Sequence, residues 1–194
     1  MIRLLTLVSV VAFAGPAFAQ DAPVKTAPSA AAGPAAPRPA RPPGLVEALI
    51  AAGFDPHTKL IGDTVQVMSG QRATLAVGGA KLVLDTVQTG HIDMALPDGA
   101  PDTYKPVAPG KVAFAVDGSA AKKQSFLKIW NGLPHAVSYE AELTAIRSGK
   151  LAKRKAQVCA VPGGGTNYEM WSDPVIAVTL SKVAEIPDDK ITCK

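Results

Sequence analysis

Apolar and polar side chains alternate most regularly between residues 135 and 145. Every second residue there is apolar (Val137, Tyr139, Ala141 and Leu143), and the residues between them are Ser138, Glu140, Glu142 and Thr144. Successive side chains of a strand point to opposite faces of a sheet, so this alternation predicts a strand with one buried face. The preceding residues, 125–131, predict a second strand. We expect residues 131–134 (Asn-Gly-Leu-Pro) to join the two strands as an antiparallel pair.

Comparable runs recur through the rest of the chain and are separated by turn signals that contain glycine. They predict further strands near residues 60–68, 72–77, 81–87, 91–96, 111–116, 156–161 and 175–183. A short helix is predicted before them, at residues 45–52, because leucines share one face and Gly53 can end the helix. No helical stretch is long enough to connect parallel strands, so we expect antiparallel sheets.

These elements predict a mainly β domain, an antiparallel immunoglobulin-like β-sandwich with a short N-terminal helix. An antiparallel β-barrel is the alternative. The Cys–Trp–Cys order typical of true immunoglobulin domains is absent, because Trp130 precedes both cysteines. The pattern therefore predicts the class of the fold and leaves the strand order open.

The strand predicted at residues 125–131 has two apolar faces, with Leu127 and Ile129 on one and Phe126 and Trp130 on the other. We expect a central strand whose second face is covered by the N-terminal helix or by a long loop. The alternative is an exposed aromatic surface that binds a partner or a sugar. The aromatic residues that would form such a surface are Phe126, Trp130, Tyr168 and Trp171.

Three segments of different composition divide the chain. Residues 1–19 have a basic start, a short apolar run and an Ala-Phe-Ala end, which is typical of a cleaved signal peptide. Residues 20–43 are nearly all Ala and Pro and predict a disordered tether. Residues 44–194 are long enough for a single domain with a hydrophobic core. We therefore expect a periplasmic or secreted protein without a lipid anchor, and without a transmembrane segment after signal cleavage.

Charge is concentrated at one place in the predicted domain. Four basic residues and one acidic residue precede residue 44, so the domain is nearly neutral although the chain carries +4, which argues against a nucleic-acid partner. The dense cluster consists of Arg147, Lys150, Lys153, Arg154 and Lys155, and the pattern places it in the turn between two strands. Such a cluster can contact an anionic envelope component or an acidic protein partner. A solvated hairpin tip is the alternative.

The two cysteines, Cys159 and Cys193, both lie in the predicted domain. An even number of cysteines in an exported protein predicts a disulfide bond between them. The bond would tie the end of the sequence to a strand and would stop that end from fraying.

Motifs for catalysis are absent from the sequence. No Gly-x-Ser-x-Gly elbow occurs, and the glycine run at residues 163–165 lacks the Lys and Ser or Thr of a phosphate-binding loop. His91 and Asp93 share one face of a predicted strand and are weak candidates for a metal site, but Met94 would point to the opposite face. Glu140 and Glu142 are expected to form a solvated surface that protects a sheet edge. We expect no cofactor.

Together these features favour an exported, non-catalytic binding or interaction module of the bacterial periplasm or cell envelope. A small exported hydrolase is the alternative, because catalytic sites can be built on any fold. A periplasmic metal-binding protein is a second alternative. The sequence leaves the ligand and the oligomeric state open.

Overall fold

The computed structural model describes residues 44–78, 81–148 and 150–194. The segments predicted as a signal peptide (1–19) and as a tether (20–43) lie outside the described residues. No helix within the described part of the chain is long and apolar enough to cross a membrane.

One helix and ten strands make up the described chain. They are α1 (Leu45–Ala51), β1 (Lys59–Ile61), β2 (Thr64–Met68), β3 (Gln71–Gly78), β4 (Lys81–Thr89), β5 (Lys111–Ser119), β6 (Gln124–Asn131), β7 (Ala136–Arg147), β8 (Lys150–Ala156), β9 (Thr166–Trp171) and β10 (Val175–Ile186). Short 3₁₀ turns occur at Asp93–Ala95 and Asp188–Lys190.

The strands form two five-stranded sheets in which hydrogen-bonded neighbours run antiparallel. Sheet 1 has the order β1-β2-β10-β7-β8, and sheet 2 has the order β4-β3-β5-β6-β9. This confirms the predicted mainly β, antiparallel sandwich with a short N-terminal helix. In the described chain β8 and β9 are edge strands of the two sheets, and both are central to the candidate sites below.

The core lies between the sheets and follows the alternation in the sequence. On β7, Val137, Tyr139 and Leu143 are buried, whereas Ser138 and Glu140 are partly exposed. Tyr139 meets Phe114 of β5 edge-on, with 5.5 Å between the ring centroids. Edge-to-face packing of this kind stabilises a core beyond the area it buries. The alternation therefore predicted the buried face of β7 correctly.

The predicted hairpin between β6 and β7 is wrong, because the two strands belong to different sheets. The Asn131 side chain turns the chain out of sheet 2. Its Nδ2 donates to the carbonyl oxygens of His135 and Val161 at 2.9 and 3.0 Å, and its Oδ1 accepts from the backbone N–H of Leu133 at 3.0 Å. Leu133 is buried in the main core, so the connection crosses between the sheets.

Residues 91–96 form no strand, contrary to the prediction. They begin a long connection, residues 90–110, that lies on the outer face of sheet 2. Side chains satisfy its backbone in place of a strand ladder: Asp117 accepts from the N–H of Ile92 at 3.1 Å, and Asp102 accepts from the N–H of Asp93 at 2.8 Å. This connection is the long loop that was expected to cover the second face of β6.

Three further strands differ from the predicted ones in their bounds or were not predicted. Residues 60–68 form the β1–β2 hairpin and not a single strand. A strand was predicted at residues 156–161, but β8 ends at Ala156, and Cys159 and Val161 form only isolated bridges. Strand β9 was not predicted. Both β8 and β9 are edge strands with mostly exposed or half-exposed side chains, so they lack the alternation that marks a buried strand.

The predicted disulfide between Cys159 and Cys193 is present. The two residues also face each other in an antiparallel bridge, and Val158 and Lys194 exchange two backbone hydrogen bonds of 2.8 Å beside it. The last described residues are thereby attached to the segment that follows β8.

Candidate functional site

The predicted aromatic residues do not all share one surface. Strands β6 and β9 pair so that Lys128 lies opposite Tyr168, and Ser125 lies opposite Trp171. Phe126, Lys128, Trp130 and Tyr168 therefore lie on the outer face of sheet 2. Trp171 lies on the inner face, where it packs against the main core.

Phe126 and Trp130 are packed under the long connection at residues 90–110. Phe126 is fully buried and contacts Ile92 in a small second core. Trp130 is partly buried and meets Tyr104 edge-on, with 6.1 Å between the ring centroids. These two aromatic residues hold the connection on the sheet, and Phe126 offers no surface for a partner.

Lys128 carries a buried charge at the centre of this outer face, with 4% of the residue exposed. Its Nζ donates to Asp102 Oδ2 at 2.6 Å and lies 3.3 Å from Asp93 Oδ1. It also lies 4.6 Å from the ring centroid of Tyr168 and 5.1 Å from that of Trp130. Opposite charges and aromatic faces therefore compensate its removal from water.

Asp93 is held in its charged form by these neighbours. Burial acts to raise the pKa of its carboxyl group, but hydrogen bonds from the Tyr168 hydroxyl, the Met94 N–H and Lys128 outweigh burial and lower the pKa below its usual value. The Tyr168 hydroxyl donates to Asp93 Oδ2 at 2.9 Å. Asp93 therefore links the connection to Lys128 of β6 and to Tyr168 of β9.

Arg72 of β3 and Asp117 of β5 attach the same connection at two further points. Arg72, with 3% exposed, donates to the backbone oxygen of Lys105 at 2.6 Å and lies over the Tyr104 ring at 4.8 Å. Burial raises the pKa of Tyr104 to about 12. Asp117 accepts from the N–H of Ile92 and lies 3.1 Å from His91 Nδ1. Four neighbouring strands of sheet 2 (β3, β5, β6 and β9) therefore each supply one polar side chain that holds the connection: Arg72, Asp117, Lys128 and Tyr168.

The weak metal candidates do not share a site. His91 pairs with Asp117, whereas Asp93 pairs with Tyr168 and Lys128. In the described chain no group of three or more His, Cys, Asp or Glu side chains converges on one point. The His91–Asp117 pair has the geometry of a base and its orienting carboxylate, but no hydroxyl or thiol group of the described residues hydrogen-bonds the second ring nitrogen of His91.

Four of the five residues of the basic cluster predicted at a turn lie on strand β8, at the edge of sheet 1, and the fifth, Arg147, is the last residue of β7. Two of its members have a structural partner. Arg147 Nη2 donates to Asp173 Oδ1 at 2.7 Å, and Arg154 Nη2 lies 2.8 Å from Asp173 Oδ2. Hydrogen bonds from these two arginines lower the pKa of Asp173. The pair clamps β7 and β8 to the link between β9 and β10.

The three lysines of β8 are left exposed beside this clamp. Lys153 lies 3.3 Å from Glu142 of β7, while Lys150 and Lys155 make no ion pair with any described residue. We call Lys150, Lys153 and Lys155 the basic edge. It is the part of the predicted cluster that stays available to a partner.

A groove of about 650 Å³ runs beside the basic edge on the outer face of sheet 1. Its lining includes four charged residues and two hydroxyl-bearing residues of β10: Glu140, Glu142, Lys155, Lys194, Thr179 and Ser181. Glu140 accepts from Lys182 Nζ at 2.7 Å, and this hydrogen bond lowers the pKa of Glu140. We call this feature the sheet 1 groove. Glu140 and Glu142 had been expected to form a solvated surface that protects a sheet edge, but β7 lies inside sheet 1, between β10 and β8.

Sequence reasoning missed Lys194 in the groove, Lys182 as the partner of Glu140, and Arg72 and Asp102 on sheet 2. The two lysines are 27 or more positions away from Lys155 in the chain, so no local pattern links them to it. Lys128 did carry a signal, because a charged residue stood between two aromatic residues in a strand with two apolar faces. A comparison with known proteins finds no matching family, no matching curated protein and no matching solved structure.

Proposed function

We propose that this protein is an exported, non-catalytic binding module of the bacterial periplasm or cell envelope, and that it contacts an anionic partner through the basic edge. One observation carries the proposal: Lys150, Lys153 and Lys155 are exposed along one strand beside a groove, on a domain whose net charge is close to zero. A local excess of positive charge attracts anionic surfaces and polymers over a distance of about 10 Å at moderate salt.

The export part of the proposal is supported by two features. Residues 1–19 have the composition of a signal peptide. The Cys159–Cys193 disulfide suits an oxidising compartment, since cytosolic thiols are kept reduced.

Protection of the sheet edge is the competing role for these lysines. Lysines on an edge strand discourage pairing with another chain. This role requires no partner. If the lysines bind a partner, replacing them weakens binding; if they only protect the edge, replacing them increases aggregation and leaves binding unchanged.

The test compares binding to isolated envelope fractions by co-sedimentation. In the test variant, Lys150→Gln, Lys153→Gln and Lys155→Gln are combined, and Arg147 and Arg154 are kept because they clamp Asp173. Each lysine near an anionic surface contributes about 1 kcal/mol, so binding should weaken on the order of 100-fold. Raising the salt concentration should weaken binding of the wild-type protein as well.

The matched control removes three exposed lysines elsewhere, as Lys81→Gln, Lys105→Gln and Lys190→Gln. Its binding should stay within a few-fold of wild type. Equal losses in both variants would show that only net charge matters. No binding by the wild-type protein, or loss of solubility alone in the test variant, would leave edge protection as the role of the lysines.

A further inference from the structure

Strand β8 has a neighbouring strand on one side only. It pairs with β7 over its whole length, from Ala156 opposite Ala141 to Lys150 opposite Arg147, and the register has no bulge. No described strand pairs with its other side, because β8 is the last strand in the order of sheet 1. This free side is a regular sheet edge of 7 residues that contains no proline.

The backbone of β7 shows which of its residues are bonded to β8. The N–H of Val137 donates to Val161 on the β8 side, and the N–H of Ile146 donates to Pro174 on the β10 side. Backbone groups alternate between the two sides of a strand, so both ends of β7 lead to the same assignment. The odd-numbered residues of β7 face β8.

The residues of β8 that lie opposite those odd-numbered residues are even-numbered, so their backbone groups are taken by β7. The residues between them, Leu151, Lys153 and Lys155, therefore direct their N–H and C=O groups to the free side. No other backbone hydrogen bond of the described chain uses these groups. The edge thus offers three donors and three acceptors in a row.

The segment that follows β8 already carries a short strand on this same side. Ala160 donates to Thr192 at 3.1 Å, and Val158 and Lys194 exchange two hydrogen bonds of 2.8 Å. Val161 turns its backbone toward β7, so alternation directs the groups of Ala160 and Val158 away from β7. The last described residues therefore run antiparallel along this side of sheet 1, in line with the edge of β8. The fold itself shows that this side accepts an added strand.

Positive charge lines the edge on both faces of the sheet. Lys153 and Lys155 lie on one face, and Lys150 and Arg154 lie on the other, because side chains alternate along a strand. Lysines on an edge oppose pairing with a basic strand, but opposite charges across two strands attract each other. An added strand with carboxylates at alternate positions would place them beside Lys155 and Lys153, and the next residue on that face beside Leu151.

We infer that the free side of β8 binds an extended acidic peptide segment as an added antiparallel strand, with carboxylates beside Lys155 and Lys153 and an apolar residue beside Leu151. Strand addition at a sheet edge is an established mode of peptide recognition, in which main-chain hydrogen bonds supply affinity and side chains supply specificity. The inference rests on the proposed function and narrows its anionic partner to a polypeptide. A membrane surface would meet the same lysines but has no main chain to pair with the edge.

Amide hydrogen exchange of the purified, oxidised protein tests the inference, with and without an excess of the capped peptide Glu-Thr-Glu-Thr-Val-Thr. In the free protein, the amides of Leu151, Lys153 and Lys155 should exchange about tenfold or more faster than those of Ala152 and Arg154. The peptide should slow the three fast amides about tenfold or more and leave the strands of sheet 2 unchanged. Protection of these amides in the free protein, or no slowing by the peptide, would overturn the inference.

Two N-methylated peptides of equal charge separate main-chain pairing from charge attraction. Methylation of both Glu nitrogens removes N–H groups that would face β8, so binding should weaken about tenfold or more. Methylation of the first two Thr nitrogens changes groups that would face away from β8, so binding should stay within a few-fold. Equal binding of the two methylated peptides would overturn strand addition.

A pair of variants tests the charged part of the site. Lys153→Gln with Lys155→Gln should weaken binding of the peptide about tenfold, whereas Lys81→Gln with Lys190→Gln should not. The peptide in which Gln replaces Glu should bind more weakly to the wild-type protein, and equal binding of the two peptides would overturn the acidic specificity.

Anionic phospholipid vesicles separate this inference from the proposed function. If vesicles or envelope fractions bind through the basic edge while the peptide leaves the Lys153 amide unprotected, the peptide inference fails and the proposed function stands. If neither the peptide, the vesicles nor the envelope fractions bind, both fail.

Discussion

Glu169 lies on the inner side of edge strand β9, opposite Leu127 of β6. Its Oε1 accepts from the backbone N–H of Cys159 at 3.0 Å and from Asn167 Nδ2 at 3.2 Å. Burial raises the pKa of this carboxyl group, and the hydrogen bond from Cys159 offsets burial only in part. The folded protein therefore holds a proton on Glu169 at a pH at which the unfolded chain has lost it. Stability should fall as the pH rises from the unfolded pKa through the folded pKa.

Glu169→Gln removes this charge and keeps an acceptor oxygen for Cys159. We expect the variant to have a higher free energy of unfolding than wild type at pH 7, with the difference shrinking as the pH falls to the usual pKa of Glu and below. Urea unfolding at pH 7 and near pH 4 measures the difference, and Glu185→Gln at an exposed position is the control. A variant less stable than wild type at pH 7 would show that the carboxylate stabilises this part of the fold.

At the scale of elements, the connection at residues 90–110 is held by charged groups as much as by apolar contacts. Its apolar part is small, with Ile92 packed on Phe126 and Ala115. The buried Lys128 joins the connection to β6 through Asp93 and Asp102. Removing one partner of such a group leaves the other charges without compensation.

Lys128→Met should lower the free energy of unfolding by about 2–3 kcal/mol, because Asp102 and Asp93 lose their shared cation. Urea unfolding measures this, and hydrogen exchange should report the loss first at the Asp93 amide. Lys122→Met is the matched control, since Lys122 reaches the same connection at the surface. Its Nζ donates to the backbone oxygen of Met94 at 2.9 Å and makes an exposed ion pair with Asp98, which is worth at most about 1 kcal/mol. Equal effects of the two substitutions would mean that the buried pairing contributes no more than a surface one.

Sequence patterns at this scale were reliable where one face of a strand is buried and unreliable at the edges. Strand β7 follows its predicted alternation along most of its length. Strand β8 was taken for a turn because its charged residues have no period of two, and a strand at the rim of a sheet can expose both faces. Residues 91–96 alternate like a strand but are held in a loop by the Asp117 and Asp102 side chains, which come from distant positions.

At the scale of the whole molecule, the disulfide joins the last described residues to the segment after β8. The bond closes a loop with a sequence separation of 34 residues and places Lys194 at the sheet 1 groove. Closing a loop of this length restricts the unfolded chain and stabilises the fold by about 3–4 kcal/mol.

Reduction of the disulfide, or Cys159→Ala combined with Cys193→Ala, should lower the free energy of unfolding by about 3 kcal/mol. Urea unfolding with and without a dithiol reductant measures the first effect, and the double variant should not respond to the reductant. An unchanged unfolding midpoint after complete reduction would contradict the stabilising role.

The sequence by itself determined the mainly β class, the antiparallel arrangement, the buried face of β7 and the pairing of the cysteines. The β class and the buried face of β7 follow from the alternation of apolar and polar residues. The antiparallel arrangement follows from the lack of helices long enough to join parallel strands, and the disulfide follows from the presence of two cysteines. Only the tertiary structure decided which sheet each strand joins, what covers β6 and which lysines surround the sheet 1 groove. A period of two is the same whichever strand lies alongside, so it carries no information about neighbours. The groove is lined by residues of β2, β7, β8 and β10 and by Lys194, which only folding brings together.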